Sequence, residues 1–184
     1  MTSIIHKNDL QQATLAGGCF WCIEGAFSQL KGIHSAISGY MGGHIENPTY
    51  HDICTGNSGH AEVVELSFDA QEITYQEIIE IFFTLHNPTQ LNRQGHDIGT
   101  QYRSAIFYHD QSQQHIAEKI ISEMSLAKIF EQAIVTQVCP AELFYSGEEY
   151  HQDYFSNNPQ NQYCQAVISP KITKFRQTFI NKLK

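Results

Sequence analysis

Residues 13–30 read ATLAGGCFWCIEGAFSQL, and two different hydrophobic periods meet within this stretch. Residues 13–18 predict a short buried strand that runs into a Gly-Gly turn. From residue 22 to residue 30 the apolar side chains recur at helical spacing, so a helix is predicted after the turn. Cys19 is therefore expected at a strand-to-helix junction.

The rest of the chain alternates between the same two patterns. Further strands are predicted at 34–40, 62–68, 104–108 and 134–138, and a long amphipathic helix at about 111–128. Thr74 and Glu77 have the spacing of a capping box and open another helix, which ends at Asn87-Pro88. The order β-α-β-β-α-β-α-β predicts an α+β fold, a two-layer sandwich with a mixed sheet related to the split βαβ (ferredoxin-like) arrangement.

Two polar segments and the C-terminus carry no such pattern. Residues 41–60 and 91–102 are rich in Gly, Asn, His and Asp, and long polar loops in a compact domain are often functional. The C-terminal tail is expected to be irregular. No linker or repeat divides the 184 residues, so we expect one domain over 1–184.

Charge and hydropathy exclude several classes of partner. Asp and Glu number 19 against 11 Lys and Arg, giving a formal charge of -8, so neither nucleic acid nor an anionic membrane is an expected partner. The N-terminus lacks an apolar run of signal-peptide length, and no stretch approaches the roughly 18 apolar residues of a membrane span. We therefore expect a cytoplasmic protein, and expect it to act as a monomer.

The five cysteines are an odd count for a reducing compartment, which favours thiol chemistry or metal binding over structural disulfides. Cys19, just before a helix, is expected to be stabilised as a thiolate by free N–H groups and the helix dipole. A lone cysteine is usually buried and inert, but Cys22 follows Cys19 at C-x-x-C spacing with the only tryptophan between them.

The C-x-x-C pair has two other interpretations. It is half of a zinc site, but no second pair of ligands has comparable spacing, so no metal is expected. It also occurs in thioredoxin-like redox centres, although such a fold leaves the polar loops unexplained.

Several short motifs occur in the order found in one enzyme family. They are GGCFWCIE at 17–24, NPTY at 47–50, CTG at 54–56, GHAE at 59–62, GTQYRS at 99–104, FY at 144–145, EYHQDY at 149–154 and YC at 163–164. Over nearly the whole chain the sequence resembles the peptide methionine sulfoxide reductase A family. The resemblance implies thiol-dependent reduction of methionine S-sulfoxide, free or in proteins, and so the repair of oxidised proteins.

The resemblance implies two roles at the reacting atoms. Cys19 matches the nucleophile, which attacks the sulfoxide sulfur and becomes a sulfenic acid. Glu62 matches the acid, which donates a proton only if burial raises its pKa. An average glutamate at such a position is an exposed strand residue.

Five further positions match substrate-binding residues of the family. Tyr50 and Tyr102 match the tyrosines that hold the sulfoxide oxygen, and Asp97 an aspartate thought to orient a water and the substrate backbone. Phe20 and Trp21 match the pocket for the substrate methyl group. Half-buried packing explains the aromatic residues equally well by residue type alone, and a turn explains Asp97.

A second thiol must clear the sulfenic acid, giving a disulfide that an external dithiol protein such as thioredoxin reduces, with no bound cofactor. Cys164 resembles the family's recycling cysteine, although Gln162 stands where Gly is usual, and Cys22 is the alternative. Cys54 and Cys139 are expected to be small buried hydrophobes.

A thiol-binding or disulfide-carrier module is the competing interpretation. A carrier needs neither a proton donor nor oxygen-binding hydroxyls, so the set Glu62, Tyr50 and Tyr102 separates the two hypotheses. The roles of His60 and His151 stay open at this point.

Overall fold

The computed structural model describes residues 10–184, which form a mixed sheet with helices packed on it. The strands are β1 (Gln11–Gly17), β2 (Ile33–Met41), β3 (Ala61–Phe68), β4 (Arg93–Gln94), β5 (Asp97–Ile98), β6 (Ser104–Tyr108), β7 (Gln137–Pro140) and β8 (Tyr145–Ser146). The helices are α1 (Phe20–Phe27), α2 (Tyr50–Cys54), α3 (Tyr75–Leu85), α4 (Gln111–Leu126), α5 (Tyr154–Asn157) and α6 (Ser169–Thr178).

The six-stranded sheet has the order β7-β6-β1-β3-β2-β8. β3 lies between β1 and β2 and is antiparallel to both, so β1, α1 and β2 form a split βαβ unit. β1 lies in the same way between β3 and β6, which makes a second such unit through α3. β7 pairs in parallel with β6, and the sheet is therefore mixed. The predicted α+β, split βαβ arrangement is confirmed.

The two faces of the sheet carry different clusters of apolar side chains. Val64, Leu66 and Phe68 of β3 belong to the larger cluster, which includes the buried sides of α1 and α3. Ala61 and Val63 belong to a smaller cluster on the opposite face. Because successive side chains of a strand point to opposite faces, Glu62 shares the face of Val64 and points toward the helices.

Several elements differ from the prediction in their limits. α1 begins at Phe20 instead of Cys22, because Cys19 is its N-cap and the Cys22 N–H bonds to the Cys19 carbonyl at 3.1 Å. β7 begins at Gln137, later than predicted. The two polar segments contain α2 and the β4–β5 hairpin, so both are more ordered than their composition indicates.

The C-terminal tail is irregular only in part: residues 141–163 hold short elements joined by irregular chain, and the rest is largely helical. Residues 164–168 form a π turn that leads into α6, with a proline in its first turn. Ile168, Ile172 and Phe175 are buried at helical spacing, so this helix is held by its apolar stripe. Among residues 10–184, no helix combines the length and the apolar character that crossing a membrane requires.

Candidate active site

A cavity of about 340 Å³ lies where α1 begins, against the end of β1. Seven residues predicted from the sequence line it: Cys19, Phe20, Trp21, Tyr50, Glu62, Asp97 and Tyr102. They come from α1, α2, β3, the β4–β5 hairpin and the 3-10 turn at 100–102, so the fold collects them from five places in the chain. Cys22 and Cys164 do not line it.

Cys19 caps α1 and is 8% exposed. The preceding Gly18 has a φ of +89°, a left-handed conformation that glycine adopts without strain, and it turns the chain from β1 into α1. Burial, together with the thiol of Cys22 and the charge of Glu62, raises the pKa of the Cys19 thiol well above its usual range. The expectation that the helix N-terminus holds Cys19 as a thiolate is wrong here, because burial outweighs the N–H bond from Trp21.

Cys22 is 6% exposed and lies one helical turn after Cys19. A hydrogen bond between the two side chains lowers the pKa of the Cys22 thiol. All five cysteines lie within the described residues, and all five are free thiols.

Glu62 on β3 is 2% exposed, although an average strand glutamate is exposed. Its Oε2 accepts the Phe20 N–H at 3.0 Å, so the carboxyl takes up one of the free donors at the start of α1. Burial raises the pKa of Glu62 to about 8. At neutral pH the carboxyl therefore carries a proton that it can donate.

Two phenols and an aspartate form the polar part of the cavity. Tyr50 starts α2, and its backbone N–H donates to Glu148 Oε1 at 2.7 Å. Burial, and then the charge of Glu62, raises the pKa of both Tyr50 and Tyr102, so both phenols keep their protons and remain donors. Asp97 accepts the Tyr163 hydroxyl at 2.6 Å.

The apolar part of the cavity is built around Trp21. Tyr154 stacks on its indole, with ring centroids 3.7 Å apart and planes inclined by 7°. The indole N–H donates to His151 Nδ1 at 3.3 Å. Phe20 packs at 6.0 Å from the indole. The indole is therefore held on one face and at its nitrogen.

Sequence reasoning missed several residues of this site. Tyr154, Asn161 and Tyr163 line the cavity, and His151 and Glu148 support it from behind. Tyr154 and Tyr163 stand within motifs of the family resemblance, and this position in the motifs was the sequence signal that could have assigned them to the site. Their contacts with Trp21 and Asp97 join residues more than sixty positions apart, which no local pattern predicts.

The two histidines left open have structural partners. His151 is 1% exposed, and because Nδ1 accepts the indole N–H, its proton sits on Nε2, 3.6 Å from Glu148 Oε2. His60 is buried, accepts the Gly43 N–H at Nδ1 and donates from Nε2 to the Ile45 carbonyl at 2.8 Å. His60 thus fixes the loop before α2.

The remaining cysteines have different surroundings. Cys164 is fully buried at the start of the π turn, and its N–H bonds to Asn161 Oδ1 at 3.2 Å. Cys54 is exposed and Cys139 is half-buried, so the expectation that both are buried hydrophobes is wrong. Cys54 ends the short helix α2, whereas Cys139 lies on the edge strand β7 and packs in part against the smaller apolar cluster. Within residues 10–184 no group of three His, Cys, Asp or Glu side chains is arranged to hold a metal ion.

Comparison with known proteins places this site in a family. A family model described as peptide methionine sulfoxide reductase matches residues 11–183. The peptide methionine sulfoxide reductase MsrA of Chromobacterium violaceum is 51% identical over 175 residues, which cover 95% of this chain and 99% of that protein.

Solved structures agree with the sequence match. The reduced form of Mxr1 from Saccharomyces cerevisiae aligns with a TM-score of 0.78 at 33% identity, over 86% of this chain and 91% of that one. Mxr1 in complex with Trx2 aligns with a TM-score of 0.56 at 23% identity, over 83% and 90% of the two chains, and shows the same fold. The match over nearly the full length, with the predicted residues gathered in one cavity, selects a reductase over a disulfide carrier. This chain belongs to the peptide methionine sulfoxide reductase family and is an oxidoreductase that returns oxidised methionine to methionine.

Proposed function

We propose that the cavity at the start of α1 is the catalytic site and that it reduces the S epimer of methionine sulfoxide, free or in proteins. One observation carries the proposal. The Cys19 thiol shares one cavity with the protonated carboxyl of Glu62, two phenols and two apolar rings. A nucleophile, a proton donor and oxygen-binding hydroxyls are the groups that removal of a sulfoxide oxygen requires.

Each part of the substrate has a partner in this arrangement. Phe20 and Trp21 take the methyl group, because their rings form the apolar part of the cavity. Tyr50 and Tyr102 donate to the sulfoxide oxygen. Asp97, fixed by Tyr163, orients a water and the substrate backbone.

Cys19 is the nucleophile in the first step. Without substrate, burial keeps Cys19 as the neutral thiol. The sulfoxide sulfur is electron-poor, so its presence beside Cys19 favours the thiolate form. The sulfur of Cys19 attacks the sulfoxide sulfur, while Glu62 protonates the oxygen. The transient S–S bond and the S–O bond then break as the hydroxyl passes to Cys19, which becomes a sulfenic acid, and methionine leaves with its sulfur reduced by two electrons. The proton that the Cys19 thiol lost restores the Glu62 carboxyl.

The second step needs another thiol, and we propose Cys164. Attack of its sulfur on the sulfenic acid forms a Cys19–Cys164 disulfide and releases the oxygen as water. Asn161 and Tyr163 line the cavity directly before Cys164, which supports this choice. Cys164 itself is fully buried and does not line the cavity. Cys22 is the alternative, since its thiol already shares a hydrogen bond with the thiol of Cys19.

Thioredoxin is the proposed external reductant. A disulfide in the chain returns to two thiols when a dithiol protein is oxidised in exchange, and no bound cofactor is needed. The complex that Mxr1 forms with Trx2 supports this partner.

The protein is further proposed to act as a monomer in the cytoplasm. One chain supplies every group that the proposed reaction needs at the cavity, including the nucleophile, the proton donor and the phenols, so a second copy is not required to complete the site. Light scattering on the purified protein and fractionation of cells that produce it test the two parts separately.

Epimer selectivity tests the reaction. Purified protein with dithiothreitol is given the S and the R epimer of a methionine sulfoxide substrate, and methionine is measured. We expect turnover of the S epimer only. Failure to reduce the S epimer rejects the proposal.

Peptide mapping tests the recycling thiol. The protein receives one equivalent of S-sulfoxide without reductant, and its disulfides are then located by mass spectrometry. A Cys19–Cys164 bridge is the expected product, and a Cys19–Cys22 bridge as the sole product overturns the assignment of Cys164.

A further inference from the structure

Glu24 of α1 is a second buried carboxyl group, and it does not line the cavity. It is 2% exposed, and a carboxyl group is costly to bury unless it is hydrogen-bonded. Its Oε1 accepts the Asp153 N–H at 3.1 Å, whereas Oε2 has no hydrogen-bond partner among the described residues. The mechanism gives this residue no role, so its burial needs another explanation.

The backbone N–H that bonds to Glu24 stands at the start of α5. Asp153 precedes this four-residue helix in a left-handed conformation, with φ of +50°, and its own side chain does not cap the helix. The Asp153 N–H bonds to the Glu24 carboxyl at Oε1, and the Ser38 hydroxyl and the Tyr154 N–H lie near enough to the carboxyl to lower its pKa. Glu24 therefore supplies from α1 the acceptor that the start of α5 lacks.

The same short segment carries the ring that covers Trp21. Tyr154 directly follows Asp153 and stacks on the indole at 3.7 Å. Trp21 and Glu24 are three positions apart on α1 and so lie on one side of the helix. Glu24 thus holds the backbone at the start of α5, and Trp21 receives the side chain of Tyr154.

The other anchor of this region lies elsewhere. Gln152, the residue before Asp153, accepts the Ser38 N–H and donates to the Ser38 carbonyl, both at 3.0 Å. These two bonds join Gln152 to β2. That anchor holds the segment to the sheet. The Glu24 bond instead ties the segment to α1, the helix that carries Trp21.

We propose that Glu24 is a positioning residue, whose carboxyl holds the start of α5 so that Tyr154 stays stacked on Trp21. This role rests on the proposed function in one respect: the cavity that the Tyr154–Trp21 stack helps to enclose is taken to be the one that binds the sulfoxide. Glu24 sets how well the wall receives the substrate and touches neither the substrate nor Cys19.

The chemistry of Glu24 indicates which substitutions preserve this role. Burial raises the pKa of Glu24 to about 7, so near neutrality the carboxyl is neutral in a large fraction of molecules. A neutral carbonyl oxygen is a sufficient acceptor for a backbone N–H. Glu24→Gln keeps that acceptor at the same reach, Glu24→Asp withdraws it by one methylene, and Glu24→Leu removes it.

The experiment compares these three variants by steady-state kinetics on S-sulfoxide and by fluorescence of Trp21, the only tryptophan. For Glu24→Leu we expect KM to rise by about tenfold with kcat changed by less than about threefold, because binding is lost and the reacting groups stay. Trp21 emission should shift to the red and acrylamide should quench it more strongly. Glu24→Gln should restore both properties, and Glu24→Asp should fall between.

Glu65→Leu is the matched control, since Glu65 is a half-buried glutamate of β3 that does not line the cavity. It should leave KM and Trp21 emission unchanged.

If Glu24→Leu does not fold, Glu24→Asp carries the test. Unchanged KM and emission in a folded Glu24→Asp or Glu24→Leu variant overturns the proposal, as does a loss of kcat with KM unaltered. The fluorescence readout needs no turnover, so a wild-type protein inactive on sulfoxides overturns the proposed function without deciding the role of Glu24.

Discussion

The two walls of the cavity are built in different ways. The sheet-and-helix wall, with Cys19 and Glu62, stands on β1, α1 and β3, whose positions are fixed by strand pairing and the main core cluster. The C-terminal wall, with Tyr154, Asn161 and Tyr163, stands on a short helix and a turn held by individual side-chain bonds.

This difference separates two tasks. The groups that move electrons and protons lie on the wall whose backbone is most constrained, and reacting groups need accurate placement. The aromatic surface that completes the cavity lies on the wall with fewer backbone bonds. Cys164, the proposed recycling thiol, directly follows Tyr163 of that second wall in the chain. Substitutions of Cys19 and Glu62 in the first wall should therefore act on the chemical step, and substitutions in the second wall on binding.

Removal of the nucleophile is expected to give the largest effect. Cys19→Ser should lower kcat/KM by at least about a thousandfold, because a hydroxyl replaces the nucleophile itself. Turnover of S-sulfoxide with dithiothreitol measures it. Cys139→Ser, at a half-buried thiol on β7, is the control and should keep wild-type turnover. Full activity in Cys19→Ser would show that the first wall does not carry the chemistry.

Loss of the proton donor should rank next. Glu62→Gln keeps the acceptor for the Phe20 N–H but cannot give a proton, so kcat should fall by about a hundredfold with KM nearly constant. Glu65→Gln on the same strand should leave kcat unchanged. A rise in KM without a fall in kcat would assign Glu62 to binding and erase the contrast between the walls.

The same carboxyl should make stability depend on pH. In the unfolded chain the carboxyl of Glu62 has a pKa near 4.5, whereas in the folded protein its pKa is about 8. As pH rises between these values the unfolded state binds fewer protons, so the free energy of unfolding should fall, with the full loss present above pH 8. Urea denaturation at pH 5, 7 and 9 should give a shallower fall for Glu62→Gln than for the wild type. Parallel curves for the two proteins would contradict the buried protonated carboxyl.

The smallest effect is expected in the C-terminal wall. Tyr163→Phe removes the 2.6 Å bond to Asp97 and keeps the ring, so KM should rise by about tenfold or less while kcat stays within about twofold. Tyr108→Phe on β6, outside the cavity, is the matched control. A larger loss in kcat than in KM would mean that this wall takes part in the chemical step.

Sequence patterns predicted the first wall better than the second. The strand, the glycine turn and the helix around Cys19 follow from local spacing, and the capping box of Thr74 with Glu77 is present as predicted. The burial of Glu62 was also readable, because Val64, Leu66 and Phe68 alternate with polar residues on the same strand. The helical stripe of Ile168, Ile172 and Phe175 was equally present in the sequence, yet the tail was expected to be irregular.

By itself the sequence determined the order of elements, the split βαβ sheet and the set of residue types that the reaction needs. These depend on periodicity and turn chemistry, which act over a few residues. Only the tertiary structure decided the protonation of Cys19 and Glu62, the stacking of Tyr154 on Trp21 and the anchoring of α5 by Glu24. Burial and contacts between distant segments set all of these, and both arise only when the chain has folded.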